Sequence, residues 1–332
     1  MHREAVGARS TMFLMRFFEL SSHPEIAVPR DLRTRSLPFL LLLVLCWSDV
    51  VLARAVEQPF GQGVLWKVEE PNSDAAPNYV FGTIHVTDRR VLNLPMEVRK
   101  AFAHARAAIF EIRQSGNDAA VMRSIMMLDE DKSLSDYLTR DQLRLLGKAA
   151  ELYGFEERDL QRLKPWGVYL LLSAPPSEDA RQRQGRKILD FAMQTRARDF
   201  GLPVYGLETL EEQMALFDGM PDSDQVAVLD STLQQLEQAE SLYENMLQLY
   251  LAGDISGIFA MISDSPGAPD AEALASFLDS LLDQRNLNMV DRMQEHLQEG
   301  GAFVAIGALH LPGELGVLNL LQSKGYRLTR VY

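Results

Sequence analysis

The chain has 332 residues, of which 47% are hydrophobic, and 46 acidic side chains outnumber 33 Lys and Arg to give a net charge of −13. This length and apolar content suffice for one large domain or two small ones with a substantial core. A body this acidic repels phosphate backbones and anionic membrane surfaces, which argues against a nucleic-acid partner.

The amino-terminal residues predict an exported protein. Residues 37–47 form an apolar stretch of eleven, preceded by three arginines and followed by Ala53-Arg54-Ala55, a small-x-small pattern. This pattern is typical of a secretory signal peptide, and the stretch is shorter than the about 20 residues that a membrane-spanning helix needs. We therefore assign residues 1–55 to a signal peptide with an amino-terminal extension, with cleavage after Ala55, and expect a periplasmic or secreted protein.

The only cysteine, Cys46, lies in that apolar stretch and would be removed by the cleavage. The mature chain, residues 56–332, would then contain no disulfide and no thiolate, so His and carboxylates would have to hold any metal. Its net charge would be −15, because residues 1–55 carry seven basic and five acidic side chains. No stable membrane span is expected after cleavage.

The first part of the mature chain is predicted to alternate between strand and helix. Apolar, β-branched and aromatic runs indicate strands near 64–69, 79–86 and 107–112, with a helix over 95–106 between the last two. The third run is apolar enough to be buried on both faces, and it carries Glu111 near its end. This predicts a strand–helix–strand unit.

The middle of the chain is predicted to be helical. The spacing of apolar residues indicates a large helical insert over about 117–200. A short strand at 204–208 then carries a second carboxylate, Glu208, at its end, and a helical cover follows over about 209–297. Long amphipathic helices are predicted within this cover at 222–250 and 270–297.

The carboxyl-terminal part returns to strand at 302–309, continues with a helix over 313–323 and closes with a strand over 326–332. Because strands occur at both ends of the mature chain, we predict an α/β fold with a mixed sheet built from its amino- and carboxy-terminal halves. Sites in such sheets lie at the carboxyl ends of strands. The candidate residues at such ends are His85, Glu111, Glu208 and His310.

Two copies of one short pattern, Gly-x-x-His, stand at opposite ends of the mature chain, at 82–85 and 307–310. Each closes an apolar run of strand length, and each is followed by the letters VLNL, at 91–94 and 317–320. Glycine lets a strand end with little steric demand, and the imidazole that follows can titrate or bind a metal. We expect the two copies to build one site.

These motifs resemble the TraB/GumN family, which is related to the Tiki metalloproteases, and the resemblance covers roughly residues 60–332. The further segments that carry it are Phe110-Glu111, 163–166 (LKPW), 188–213, Arg285-Asn286 and 304–331. The paired Gly-x-x-His motifs and the segment GLET-x-x-x-Q, in this order, make it specific. The resemblance implies an α/β domain of two related halves, grouped with Tiki-like proteases and erythromycin-esterase-like hydrolases.

The resemblance also implies roles for individual residues. His85 and His310 match the two family histidines, Glu111 and Glu208 the acidic positions, and Arg285 the arginine of the Arg-Asn pair. Two imidazoles with one or two carboxylates suit Zn, Mn or Co with an open position for water. We expect His85, Glu111 and His310 to lead the ligand set, Glu208 to act as ligand or general base, and Arg285 to bind the substrate carbonyl or carboxylate.

Each role has a structural alternative. A glutamate at a strand end can cap a helix, or pair with Arg285 as a buried ion pair. Asp190 or Glu314 could replace either glutamate. The expected function is a metal-dependent, peptidase-like hydrolase acting on a peptide or a small carbonyl compound. A haem- or metal-binding protein without turnover and a metal-free esterase with a histidine base remain alternatives.

Overall fold

The structure is a computed structural model that describes residues 58–263 and 279–332. The predicted signal peptide, its cleavage site and Cys46 lie outside these residues, as does the first part of the helix predicted at 270–297. Within the described ranges, no helix is both long enough and apolar enough to cross a membrane.

A six-stranded mixed sheet forms the centre of the described part of the chain. The strands are β1 (Leu65–Glu69), β2 (Asn78–Thr83), β3 (Ala107–Ile112), β4 (Val204–Glu208), β5 (Ala302–Gly307) and β6 (Arg327–Arg330). Their order across the sheet is β4-β3-β5-β2-β1-β6. The first four of these are mutually parallel, whereas β1 is antiparallel to both of its neighbours. The predicted α/β class and mixed sheet are confirmed.

Strands from the amino- and carboxy-terminal parts of the described residues meet at the pairing of β2 with β5. These strands are parallel, with Gly82 opposite Ile306 and Thr83 opposite Gly307. Every residue of β5 is buried, as expected for a central parallel strand covered by helices on both faces. The two Gly-x-x-His motifs therefore leave the sheet side by side, at the same edge.

Helices cover the sheet in the described ranges. They are α1 (Arg89–Leu92), α2 (Met96–Ala103), α3 (Asp118–Met126), α4 (Arg140–Tyr153), α5 (Glu157–Leu160), α6 (Pro165–Leu172), α7 (Pro176–Arg183), α8 (Leu189–Asp199), α9 (Leu210–Asp218), α10 (Asp222–Gln234), α11 (Ala239–Leu251), α12 (Ile255–Ser263), α13 (Gln284–Gln298) and α14 (Val317–Ser323). Short 3₁₀ turns lie at Leu134–Asp136, Leu236–Gln238 and Ala308–His310, and a π-helical turn at Asp279–Asp283 precedes α13.

Helix α13 is held on the sheet by an apolar stripe. Met289, Met293 and Leu297 recur at intervals of four residues and are at most 1% exposed, which is the spacing of one helical face. They belong to a buried cluster that includes Val304 and Ile306 of β5. Burying each such side chain contributes roughly 1.5–3 kcal/mol. This packing fixes the first turn of α13 above the carboxyl ends of the parallel strands.

Several predicted boundaries differ from the structure. The strand predicted over 79–86 ends at Thr83, so His85 stands beyond it, and the helix predicted over 95–106 ends at Ala103. The helix predicted over 222–250 is interrupted at Leu236–Gln238, where a 3₁₀ turn separates α10 from α11; apolar spacing continues across this turn and so does not reveal it. The helix predicted from 313 begins only at Val317, because Gly313 has φ +102°, outside the helical region. The strand predicted over 302–309 ends at Gly307, and His310 stands in the following 3₁₀ turn.

Candidate functional site

Side chains from four parallel strands, or from the turns that follow them, meet at one edge of the sheet. Glu111 lies in β3 and Glu208 is the last residue of β4. His85 follows the end of β2 by two residues, and His310 follows the end of β5 by three. His85 and Glu111 line a cavity of about 20 Å³. A space of this size holds roughly one water molecule or ion.

His310 is completely buried and its tautomer is set by Asn286. Its Nδ1 lies 2.7 Å from Asn286 Oδ1, and Asn286 Nδ2 donates to the carbonyl of Leu315 at 2.9 Å, which orients the amide. Nδ1 therefore carries the proton and donates to the amide oxygen. The other nitrogen, Nε2, is buried, has no hydrogen-bond partner among the described residues and lies 3.7 Å from Glu111 Oε1. Burial and the charge of Arg285 lower the pKa of His310 to about 3, so this imidazole is neutral at neutral pH.

His85 is held in the same way by a carboxylate. Its Nδ1 lies 2.8 Å from Asp190 Oδ2, and Thr83 Oγ1 donates to Asp190 Oδ1 at 2.6 Å. The Nε2 atom of His85 is also buried without a hydrogen-bond partner. Burial alone would lower the pKa of His85, but the charge of Asp190 and its hydrogen bond outweigh burial and raise this pKa above its ordinary value.

Two donors bridge the glutamates. Arg285 Nη2 lies 2.9 Å from Glu111 Oε2 and 2.7 Å from Glu208 Oε2, and its Nε lies 2.9 Å from Glu208 Oε1. Gln213 Nε2 donates to the same two Oε2 atoms, at 3.1 and 2.9 Å. Arg285 is only 4% exposed, and its Nη1 donates to the carbonyl of Leu281. Arg285 therefore forms a buried ion pair with both glutamates. This is the structural alternative to a chemical role that the sequence allows.

Glu111 is the most strongly perturbed acid of this site. Burial by itself would raise its pKa, but His310, Arg285 and His85 together with the backbone N–H of Gly307 lower it to about 2. The N–H of Gly307 donates to Oε1, the oxygen that lies near His310. Glu111 is therefore a carboxylate at any pH near neutrality.

The first motif needs glycine because the second motif packs against it. A Cβ atom at Gly82 would lie 2.7 Å from the side chain of Leu311 and 3.0 Å from the Cα of Ala308. The carbonyl of Gly82 accepts a hydrogen bond from the buried hydroxyl of Tyr250 at 2.8 Å. The close approach of the two chain segments therefore leaves no room for a side chain at this position.

Sequence reasoning missed several residues of this site. Asp190 was considered only as a substitute for a glutamate, whereas it holds His85. Asn286 and Gln213 stand in the segments that carry the family resemblance, but no role was assigned to them. Their positions beside Arg285 and in GLET-x-x-x-Q are the signals that could have identified them. Glu314, the other proposed substitute, is exposed.

A further residue, Glu178, anchors the loop that follows His85. Its side chain is fully buried and accepts from the backbone N–H of Thr87 at 2.8 Å and from the Thr87 hydroxyl at 3.1 Å. It also accepts from Arg181 at 2.8 Å and from the hydroxyl of Tyr243 at 3.0 Å. Helix α7 of the insert therefore fixes the backbone directly after the first motif.

The donor chemistry of the site fits a divalent metal ion, although its side chains are not spaced as a complete set of ligands. Among residues 58–263 and 279–332, no group of three or more His, Cys, Asp or Glu is arranged to hold a metal. Ligands of a tetrahedral ion at 2.0–2.2 Å lie roughly 3.3–3.6 Å apart, and the His310 Nε2 to Glu111 Oε1 separation of 3.7 Å is close to this. The two unpartnered Nε2 atoms are the free lone pairs that such an ion requires.

The chain matches one family model and is similar to several known proteins. The model of the TraB/PrgY/gumN family matches residues 64–330. The chain is 27% identical over 323 residues to "Metalloprotease TIKI2" of Danio rerio, covering 83% of this chain and 62% of that protein. It is 26% identical over 313 residues to "Metalloprotease TIKI1" of Homo sapiens, covering 80% and 61%.

A bacterial relative is matched over most of its own length. The chain is 26% identical over 248 residues to "Uncharacterized protein YbaP" of Escherichia coli, covering 74% of this chain and 87% of that protein. By contrast, the chain spans about three fifths of the length of the Tiki relatives. No solved structure matches the chain.

Proposed function

This chain belongs to the TraB/PrgY/gumN family, and we propose that it is a metal-dependent hydrolase that cleaves peptide bonds. The names of its Tiki relatives support the class of activity. The observation that carries the proposal is the pair of buried histidine Nε2 atoms, of His85 and His310, that have no hydrogen-bond partner. A buried polar atom without a partner costs roughly 1–3 kcal/mol, and a metal ion would satisfy both at once.

The charge of the site supports a divalent ion. Asp190, Glu111 and Glu208 surround the histidines with three carboxylates, and among the described residues Arg285 is the one guanidinium bonded to them. The formal charge of this buried group is −2 when both imidazoles are neutral, as metal ligands must be, and −1 when His85, whose pKa is raised, carries a second proton. Uncompensated buried charge is costly, and a divalent cation would neutralise it.

We propose that His85, His310 and Glu111 would hold the metal, which we expect to be Zn, Mn or Co. When bound, such an ion would polarise a carbonyl and supply hydroxide near neutral pH. Glu208 remains the proposed general base or further ligand. Arg285 would act by keeping Glu111 ionised and by holding the side chain of Glu208 in place. The expected binding of a substrate carbonyl or carboxylate would require it to release one of these contacts.

A metal-free esterase is the second candidate, and one observation favours it. The pair of Asp190 with His85 is the arrangement in which a carboxylate orients an imidazole that acts as general base. Haem binding has less support, since a cavity of about 20 Å³ is far smaller than a haem. We also propose that the protein is exported, because of the signal-peptide pattern at 37–55. This proposal is the same for a metal-dependent peptidase and for a metal-free esterase.

The test is the metal content of the purified protein, measured by mass spectrometry for wild type, His85→Ala and His310→Ala. The matched control is His104→Ala, because His104 is exposed and bonded to the carbonyl of Lys100 outside the site. We expect near-equimolar Zn, Mn or Co in wild type and control, and its loss in both site variants.

A peptidase assay with and without a chelator completes the test. Peptide hydrolysis that stops on chelation and returns on adding metal supports the proposal. Folded wild-type protein that takes up no metal even after incubation with Zn, Mn and Co would refute it. Ester hydrolysis that is indifferent to the chelator would favour the metal-free esterase instead.

A further inference from the structure

We propose that Asp190 and Asn286 are positioning residues that present the Nε2 atoms of His85 and His310 to the metal. The inference rests on the proposed function, because it assigns the residues behind the histidines once those histidines bind a metal. Neither residue needs to touch the metal or the substrate. Each acts through the hydrogen bond to Nδ1 of one histidine.

The hydrogen-bond pattern favours one tautomer of both rings. Asp190 Oδ2 can only accept from His85 Nδ1 when the carboxylate is ionised, and Asn286 Oδ1 can only accept from His310 Nδ1. A neutral ring with its proton on Nδ1 has its lone pair on Nε2. Both rings therefore offer the atom that binds a metal at the position where the structure records no partner.

The two positioning side chains are themselves fixed. Asp190 is held by the hydroxyl of Thr83, which belongs to the first Gly-x-x-His motif. Asn286 is held by the carbonyl of Leu315, in the turn after the second motif. Both are buried, at 8% and 1% exposure, so water competes little for these bonds. A hydrogen bond whose partner is itself anchored restricts the ring plane as well as the tautomer.

Each histidine is held by a hydrogen bond at Nδ1, but the two partners come from different parts of the chain. Asp190 stands in the first turn of α8, in the insert, and Asn286 in the first turn of α13, in the helical cover. One partner is a carboxylate and the other is a neutral amide. A carboxylate raises the basicity of the ring that it holds more than an amide does, so His85 is the stronger donor of the pair.

The experiment measures Zn²⁺ affinity by calorimetry in the full protein. Asp190→Ala and Asn286→Ala are each expected to weaken Zn²⁺ binding roughly 10–100-fold. Asn286→Asp keeps an acceptor for Nδ1 but loses the donor to the carbonyl of Leu315, so it should recover only part of the affinity. Thr83→Val removes only the anchor of Asp190 and should cause a smaller loss.

The matched control is Asn78→Ala. Asn78 is as buried as Asn286 and bonds two backbone groups, the carbonyl of Leu297 and the N–H of Ala302, but it lies at the opposite end of β2. This variant should lower the free energy of unfolding and leave Zn²⁺ affinity unchanged. Equal Zn²⁺ affinity in Asp190→Ala, Asn286→Ala and wild type would overturn the inference.

A second readout separates this inference from the proposed function. ¹⁵N NMR of the histidine rings without metal, at a pH where both are neutral, should show the proton on Nδ1 of both rings in wild type. It should show a mixture of tautomers for His310 in Asn286→Ala. Wild-type protein that binds none of Zn²⁺, Mn²⁺ and Co²⁺ would refute the proposed function, whereas an unchanged His310 tautomer in Asn286→Ala would refute the positioning role.

Discussion

Replacing Arg285 by methionine tests whether this arginine stabilises the buried carboxylates of Glu111 and Glu208. Methionine has a similar length but no charge, so the substitution leaves Glu111 and Glu208 without their shared guanidinium. Their side chains are only 8% and 5% exposed, so water cannot replace it. Breaking a buried ion pair by removing one partner costs about 3–5 kcal/mol. This is a large share of the roughly 5–15 kcal/mol that stabilises a folded protein.

The matched control lies two turns further along the same helix. Arg292 pairs with Glu212, but both side chains are more than 40% exposed. An exposed ion pair contributes about 0–1 kcal/mol, so Arg292→Met should cost far less than Arg285→Met. The assay is urea-induced unfolding followed by circular dichroism, with the denaturation midpoint and slope compared between the two variants.

The cost of Arg285→Met should also depend on pH. In wild type the pKa of Glu111, about 2, lies below its ordinary 4.5, so its ionisation contributes stability above pH 4.5 that is lost as the pH falls towards 2. In the variant the charge of Arg285 no longer opposes burial, so the pKa of Glu111 rises above its wild-type value, and protonation then relieves the uncompensated charge. The difference between variant and wild type should therefore shrink between pH 7 and pH 4.

Two results would refute this reasoning. A cost of Arg285→Met no larger than that of Arg292→Met would show that the buried glutamates do not depend on Arg285. A cost that is equal at pH 7 and pH 4 would show that their ionisation is not what the arginine stabilises. The added substitution Glu208→Gln should recover part of the loss, because it removes one of the two uncompensated carboxylates.

Three further predictions follow from single contacts. Gly82→Ala should cost about 1–3 kcal/mol through overpacking against Leu311, and an unchanged melting temperature would contradict it. The pKa of His310 is 6.5 in the unfolded chain and about 3 in the folded protein. As the pH falls, the unfolded chain therefore takes up this proton first. Titration of His310 should therefore remove up to roughly 4 kcal/mol of wild-type stability as the pH falls from 6.5 to 3, so the loss should be smaller in His310→Leu, where the contribution of Glu111 remains. Glu178→Leu should cost about 1–3 kcal/mol, since the buried N–H of Thr87 and the part-buried guanidinium of Arg181 lose their acceptor; a change below 1 kcal/mol in urea unfolding would contradict this.

Local sequence patterns were enough to predict the four strands that carry the site. Apolar runs ending in Gly-x-x-His marked β2 and β5, and similar runs marked β3 and β4 with Glu111 and Glu208 at their ends. Such runs are informative because a central parallel strand must be apolar on both faces. Since carboxyl ends of parallel strands share one edge of a sheet, the meeting of both glutamates with His85 and His310 could be expected from the sequence.

Only the tertiary structure decided which side chains hold these residues. Asp190 is 105 positions from His85 in the chain, and Gln213 is 102 positions from Glu111. No local period relates such pairs, because their contact depends on how α8 and α9 pack on the sheet. The role of Arg285 could not be predicted locally either. The sequence shows that an arginine is present, but it becomes the shared partner of two buried carboxylates only because α13 packs on the sheet. The sequence determined where the chemistry lies, and packing determined the charge and tautomer of each group in it.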